Sequence, residues 1–463
     1  MATILPGSGP FDLHFPVIVI GAGGTGLTAA LAVRDAGVDV LVLERDSTPL
    51  GSTAMSTGLI PAAGTPEQAA EGVNDSPERF VADILAKTKS QTEPVIARRV
   101  AEESAETVAW LRDTHGVPLA LVDGFLYPGH TARRMYGTPN RTGGELMAAL
   151  ESAATESGVM VLTDATVETL YASGRQVTGL RLRRPDGSLE DIGCDALILA
   201  CSGFGGNADL VERWIPEMAG AVFHGHPGNK GDAMAWGEAL GAGIADMTAY
   251  QGHGGLAVGH GVPILWPLIV EGGFQVNVLG QRFSNEAAGY SEQAAKVNAQ
   301  PGQVAWSIFD ERLHRLMLQF DDYHDALRAG AVIEADTIAE LAARTGLPAS
   351  ALSETVAEVA GLVESGIPDR FARSFGRKPA LAPPFRAAKV TGALFHTQGG
   401  LVVDGDARVL DPTGARFPNL FAGGGAARGL SGPGADGYMA GNGLLAATTL
   451  GKLAGRAAAK LVA

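Results

Sequence analysis

Cysteine is scarce in this chain: Cys194 and Cys201 are the only two. A disulfide framework is excluded, no CxxC or CxxCH pair exists for a metal or a haem, and the composition fits a reducing, cytoplasmic setting. Positive charge is also short, with 35 Lys and Arg against 50 Asp and Glu and a formal net charge of −15. That balance disfavours attraction to nucleic-acid phosphates or anionic lipid, so no nucleic-acid partner is expected. Long hydrophobic runs are missing as well. The longest uncharged apolar stretch, residues 15–33, is interrupted by Gly21, Gly23, Gly24 and Gly26 and reads as strand, turn and helix, not as a transmembrane segment. The first residues carry no basic segment ahead of an apolar one, so no secretory signal is expected.

Glycine, by contrast, is plentiful: 63 of 463 residues, roughly twice the usual share. No three-residue period accompanies it, which excludes collagen, and an apolar content of 46% excludes a disordered chain. The excess needs local reasons, such as tight turns or backbone brought close to a ligand. A chain of this length buries large cores and is expected to form two or three domains.

Four β-branched residues at 17–20 predict a strand buried on both faces. A glycine turn, a helix over 27–36 stopped by Gly37, and a strand over 38–44 complete a βαβ unit. Helical segments broken by Pro77 and Pro94 are expected over 68–110, and a further helix over 144–157. Residues 159–170, 177–184 and 189–192 alternate like antiparallel strands around an Asp186-Gly187 turn. Residues 196–200 form a separate buried strand that runs into SGFGGN. From about residue 246 to 390 aromatic, proline and charged residues increase, with helices expected over 331–344 and 349–365. This reads as an inserted domain between a first part, 1–245, and a last part, 391–463, that closes on an alanine-rich helix.

The first chemical motif is Gly21-Ala22-Gly23-Gly24-Thr25-Gly26, set between strand and helix, with Glu44 ending the next strand. Gly21 permits the tight turn, Gly23 lets backbone approach a pyrophosphate, Gly26 allows close helix packing, and Glu44 accepts hydrogen bonds from a ribose. GPGADG at 432–437 matches the same glycine spacing without a βαβ context.

Together with GSTAMSTG at 51–58, SGFGGN at 202–207, GDAMAWG at 231–237, GQRFSNE at 280–286, HTQGG at 396–400, NLFAGGG at 419–425 and GNGLL at 441–445, this entry resembles the fumarate reductase/succinate dehydrogenase flavoprotein superfamily. The resemblance implies an α/β fold: a Rossmann-like FAD-binding domain built from both ends of the chain, with an inserted α+β capping domain that closes over the flavin. It places cofactor contacts at Gly21, Gly23, Gly24, Gly26, Glu44, Arg45, Gly51, Ser52, Thr53, Ser56, Thr57, Gly58, Val167, Ser202, Gly203, Asn207, Asp232, Gly400, Gly424, Gly425, Asn442, Leu444 and Leu445. Covalently flavinylated members carry a histidine after the Glu-bearing strand; residues 50–64 contain none, so non-covalent FAD is implied. A helix N-terminus at Gly443, Leu444 and Leu445 would stabilise negative charge on the reduced ring.

Fumarate reductases use two arginines on the substrate, one four residues past the RF-x-NE glutamate and one just before the GN pair. Here those positions are Tyr290 and Tyr438, which removes the grip on a dicarboxylate. The run RFSNEAAGY instead resembles 3-ketosteroid 1-dehydrogenases and related ketone desaturases, in which a tyrosine at that spacing is the base. Their GPGA run, matched by Gly432-Pro433-Gly434-Ala435, supplies a backbone N–H to the substrate carbonyl. A second tyrosine of the steroid enzymes is replaced by Leu430, and Tyr438 is the alternative oxygen donor.

The implied reaction is α,β-desaturation of a ketone substrate, with Tyr290 taking the α-proton and Gly434 and Tyr438 stabilising the enolate oxygen. A phenol ordinarily ionises near 10, so a tyrosine base needs activation, with Tyr127 or Tyr136 as candidate helpers. His396 matches a substrate-side histidine of fumarate reductases, and Arg386 is a candidate carboxylate ligand. Arg282 and Glu286, spaced i,i+4, are expected to form a structural pair. The histidines His224, His226, His253 and His260 lack acidic or cysteine ligands at metal spacing, so no metal is expected. The electron acceptor, whether quinone, oxygen or a redox protein, is not in the chain. The alternatives are a flavin-dependent reductase of an activated C=C bond and a non-catalytic flavin-binding sensor.

Overall fold

The computed structural model describes residues 3–7, 10–122, 126–376 and 378–463. The chain divides into two compact units. One is Met1–Ile215, Gly225–Tyr250 and His396–Ala463; the other is Pro216–His224 and Gln251–Phe395. The expected insert of 246–390 thus begins and ends about five residues later, and it also takes in a short earlier segment.

In the first unit β1 (Leu13–Ile20) leads through a glycine turn into α1 (Gly24–Asp35) and then β2 (Val40–Leu43). Both strands end in buried Val, Ile and Leu residues, as a strand covered on two faces requires. The helix starts three residues earlier than its composition suggests, and Gly37, at φ +76°, donates to the Arg34 carbonyl to close it. Pro77 and Pro94 each open a helix, after Ser76 and Glu93 side chains that accept from Arg79 and Ile96 backbone N–H groups.

The stretch 159–170 is not one antiparallel strand. It splits into β3 (Met160–Leu162), parallel to β2, and Thr166–Ser173, which forms a hairpin with Gln176–Arg183. The expected strands 189–192 and 196–200 are instead one element, β4 (Leu189–Leu199). Its first half pairs antiparallel with Gln176–Arg183, and its second half is parallel to β1 and to β5 (Arg416–Ala422). Gly193, which looks like a break, leaves room for the Phe11 ring: a Cβ there would lie 2.7 Å from Phe11 Cδ2.

The final helix α2 (Asn442–Val462) lies along α1 on a seam of small residues. A Cβ on Gly451 would be 2.6 Å from the Thr25 carbonyl oxygen, and one on Gly455 would be 2.2 Å from that of Ala29. Close helix packing therefore accounts for part of the glycine excess.

The second unit is organised on the long strand Phe385–Thr397, which pairs with Val304–Asp310, Val332–Ala335, Tyr250–Ala257 and Val222–Phe223. Helices pack on it through Leu313, Met317 and Tyr323 in one cluster and Leu341, Leu352 and Val359 in another. The helix expected over 331–344 is half strand: Val332–Ala335 extends the sheet and only Ile338–Thr345 is helical, because Thr337 caps it through Glu340 N–H. Among the described residues no helix is long and apolar enough to cross a membrane.

Candidate functional site

β1, β4 and β5 are parallel and end level with one another, since Leu199 is paired with both Ile20 and Ala422. Each runs into a glycine turn, so three turns collect at the carboxyl ends of adjacent strands, where open α/β sheets bind ligands. Most of these glycines are there because the turns touch. A Cβ would lie 2.6 Å from the Ala200 oxygen at Gly21, 1.8 Å from the Gly21 oxygen at Gly26, 2.0 Å from Thr397 Oγ1 at Gly203, 2.2 Å from Thr25 Oγ1 at Gly424 and 2.9 Å from Gly203 N at Gly425. Ser202, at φ +66°, adopts the left-handed conformation that this crowding demands.

Gly23 differs. A Cβ there would meet only Thr53 Oγ1 at 3.9 Å, and one on Gly51 would meet only the Gly23 Cα at 3.8 Å. The backbone in front of α1 is open, and the helix begins with neither a capping side chain nor an acidic residue in its first turn. The N–H groups at a helix start suit a pyrophosphate. Thr53 Oγ1 accepts from Gly24 N–H at 3.2 Å. Ser56 ties the next turn by donating to the Thr53 carbonyl and accepting from Gly58 N–H, with Thr57 half-buried beside it.

The adenosine-side candidates form a linked set. Glu44 accepts from the backbone N–H groups of Ala22 at 2.8 Å and Asp46 at 3.1 Å. Arg45 pairs with Asp232 at 3.3 Å. Ser52 Oγ accepts from His226 N–H and from Asn229 Nδ2. Val167 is half-buried at the start of its strand. The Asn207 side chain caps the helix Ala208–Trp214 through Leu210 N–H and donates to the Lys230 carbonyl.

At the other end Asn442 supplies the clearest sign of an absent partner. It is fully buried as the first residue of α2, and neither its amide nitrogen nor its amide oxygen has a hydrogen-bond partner. Such a donor–acceptor pair is costly to bury unmatched, and a flavin ring edge carries the complementary atoms. With the open backbone at Gly23, these residues fit FAD. Leu444 is half-buried and Leu445 fully buried in the same helical turn. Gly400 packs against the Ala427 backbone.

His396 lies against this turn, so that a Cβ on Gly443 would be 2.9 Å from its Nε2. Its ring meets Tyr438 edge-on, with centroids 5.6 Å apart. Burial holds the imidazole down to about 4, so it is neutral near pH 7. Gln398 Nε2 is 3.2 Å from His396 Nδ1, and Gln398 Oε1 accepts from Ser431 Oγ at 3.1 Å. This link joins His396 to the loop that carries Gly434. Gln398 went unnoticed in the sequence although it stands inside HTQGG. Gly434 takes φ +78°, a conformation that favours glycine. Leu430 is fully buried.

In the second unit Tyr290 begins the helix Tyr290–Asn298 and packs in an aromatic group with His253 and Trp266. Trp266 Nε1 donates to the Glu286 carbonyl, and Ser291 Oγ accepts from Gly252 N–H. Arg282 and Glu286 form the expected structural pair at 2.8 Å, both buried, and Asp369 and Arg373 complete a four-charge cluster. His253, considered in the sequence only as a metal ligand, packs its ring against Tyr290 at a tilt and stacks on Phe395. Burial lowers its imidazole to about 3.

The three remaining candidates are Arg386, Tyr136 and Tyr127. Arg386 is buried and pairs with Glu311 at 2.7 Å and with Glu334, so its charge is already matched within the second unit. Tyr136 is buried in the first unit, with its hydroxyl bonded to Thr65 and, at 3.3 Å, to Glu67. Tyr127 is half-buried there too, and burial pushes its phenol up to about 12, the opposite of activation. Among the described residues no group of three or more His, Cys, Asp or Glu could hold a metal.

The chain is similar to NADH:fumarate oxidoreductase of Klebsiella pneumoniae (strain 342), with 30% identity over 449 residues that cover 96% of this chain; it spans only 48% of that protein. It is 26% identical to 4-oxocyclohexanecarboxylate 2-dehydrogenase of Sinomonas cyclohexanicum, covering 96% of this chain and 92% of that one. Among solved structures, the open conformation of a flavocytochrome c3 fumarate reductase matches with a TM-score of 0.82 and 28% identity, over 98% of this chain and 79% of that one. The 3-ketosteroid-delta4-(5alpha)-dehydrogenase from Rhodococcus jostii RHA1 matches with a TM-score of 0.78 and 27% identity, over 98% and 99%. The family model FAD_binding_2, described as an FAD binding domain, matches residues 16–444, and the chain belongs to that family.

Proposed function

We propose that this protein is an FAD-dependent oxidoreductase acting on CH–CH groups, and that its reaction is α,β-desaturation of a cyclic ketone. The observation that carries the reading is the pair Tyr290 and Tyr438 at the positions where fumarate reductases use arginines. Phenols do not grip a dicarboxylate bidentately, whereas they suit proton transfer and hydrogen bonding at a neutral carbonyl. The neutral state of the buried His396 beside Tyr438 supports the same preference.

The residues divide the work. Gly434 N–H and the Tyr438 hydroxyl donate to the ketone oxygen, so charge that builds there as the α-carbon loses its proton is met by fixed dipoles. Tyr290 oxygen takes that proton as the base. The Cα–Cβ double bond forms as the β-hydrogen leaves with its electron pair. Bound FAD supplies the two-electron acceptor for that hydride. The open backbone at Gly23 and the unmatched amide of Asn442 hold the cofactor without a covalent bond, since residues 50–64 offer no histidine for one. The electron acceptor that follows is a quinone, oxygen or a redox protein.

Anaerobic mixing of the yellow protein with cyclic ketones and 3-ketosteroids tests this directly. Bleaching of the flavin band by a saturated ketone is the expected result. A second reading, reduction of an activated C=C bond, is favoured by the likeness to the two fumarate reductases. It is the better one if only the prereduced protein reacts, and only with enones or unsaturated acids.

A further inference from the structure

His130 lies far from every motif discussed so far, yet it reaches the chain between Tyr438 and Asn442. Its Nε2 is 3.0 Å from the Ala440 carbonyl oxygen, and its Nδ1 is 3.3 Å from Arg134 Nη1. A guanidinium only donates and a carbonyl only accepts. Both ends therefore require the same tautomer, with the proton on Nε2 and the lone pair on Nδ1. Burial and the Arg134 charge push the imidazole down to about 4, so the ring is neutral at physiological pH. Arg134 and Asp83 are the charged groups that face it.

The ring is held from behind by a buried charge cluster. Arg134, with no side-chain exposure, binds Asp75 through Nε at 3.0 Å and Nη2 at 2.8 Å, and Asp83 through Nη1 at 2.7 Å. Its guanidinium lies 4.4 Å over the Phe80 ring. On the other side the target segment has little slack. Gly441 takes φ +81°, and a Cβ there would be 2.6 Å from Pro61 Cδ, while Asn442 N–H donates to the Met439 carbonyl.

We propose that His130 is a positioning residue: by donating to the Ala440 carbonyl it fixes the segment between Tyr438 and Asn442, and so the aim of both side chains. This rests on the functional reading above for Tyr438 and on the flavin fit for Asn442. Nothing in the sequence signals it, because the hydrogen bond spans 310 positions.

Two substitutions separate this role from a purely structural one. In His130→Gln the amide nitrogen reaches where Nε2 was and can still donate to Ala440. In His130→Asn the shorter side chain can satisfy Arg134 but not Ala440. Three readouts on the holoenzyme apply: visible circular dichroism of the bound flavin, its midpoint potential, and hydrogen exchange of a peptide covering 438–445. We expect His130→Gln to match the parent protein in all three. His130→Asn should alter the flavin signals, exchange faster at 438–445, and lose roughly tenfold or more in kcat where ketone turnover is measurable.

The proposal is overturned if Asn performs as well as or better than Gln, if both behave like the parent, or if both fail to fold, since Gln keeps the bond in question. Absence of ketone turnover in the parent protein would sink the functional reading alone, because the flavin and exchange comparisons do not depend on it.

Discussion

Tyr290 and His253 face each other ring to ring, with centroids 5.3 Å apart and planes 33° from parallel. His253 also stacks on Phe395 at 5.2 Å, and Gly255 N–H donates to its Nδ1. Tyr290 thus stands on a preformed aromatic support that does not depend on its hydroxyl. Tyr290→Phe should keep this packing and retain FAD while turnover falls by about 10²–10⁴-fold, the usual contribution of a general base. Stopped-flow bleaching of the flavin by ketone checks it, and an unchanged rate would remove Tyr290 from the mechanism.

Asn442 makes opposite predictions for the two states of the protein. Without flavin, its buried amide is unmatched, and Asn442→Leu should raise the melting temperature of the apoprotein, since an unsatisfied buried polar group costs about 1–3 kcal/mol. With flavin, the same substitution removes a donor and an acceptor, and affinity should fall about tenfold or more. Differential scanning fluorimetry of the apoprotein and flavin release on dilution measure the two effects. An unchanged flavin affinity would mean that Asn442 has no role toward the cofactor.

Much of the cofactor unit is legible in the sequence because its signals are local. A β-branched run, a glycine turn and an alanine-rich helix follow one another over some twenty residues, and Gly21 and Gly26 stand where the turn has no room for a Cβ. Long-range pairing is what escapes. That residues 189–199 are one strand depends on the Phe11 ring passing over Gly193, and no local pattern encodes that contact. Gly254 is another such case, since a Cβ there would lie 2.7 Å from Gln293 Cγ. Gly254 lets the helix that begins with Tyr290 lie close on the strand Tyr250–Ala257. The partners of Arg386, Glu311 and Glu334, are likewise far away in the sequence, in elements that no local pattern joins to it.

The cluster around Glu286 is a stability prediction. Its carboxylate receives Arg282 through two bonds, Arg373 at 3.0 Å, and the Gln275 N–H, all buried. Glu286→Gln leaves two buried guanidinium groups with only Asp369 as counter-ion, and should destabilise the protein by about 3–5 kcal/mol. Urea denaturation is the measurement. A loss under about 1 kcal/mol would mean that water already reaches the cluster.

Acid should weaken this fold through its buried histidines. His130 and His396 are held neutral down to about 4, and His253 to about 3, in each case chiefly by burial. An unfolded histidine binds its proton near 6.5. Between about 6.5 and 4 the unfolded chain therefore carries more protons than the folded one, and stability must fall as pH falls through that window. The His253 share can be isolated. His253→Phe keeps an aromatic ring against Phe395 and Tyr290 but has nothing to protonate, so melting temperature plotted against pH should have a shallower slope between pH 6.5 and 4.5, whatever its absolute level. An unchanged slope would show that His253 is protonated in the native state or is reached by water. The same comparison for His130→Gln should also flatten the curve, because that site loses its titrating group while keeping the bond to Ala440.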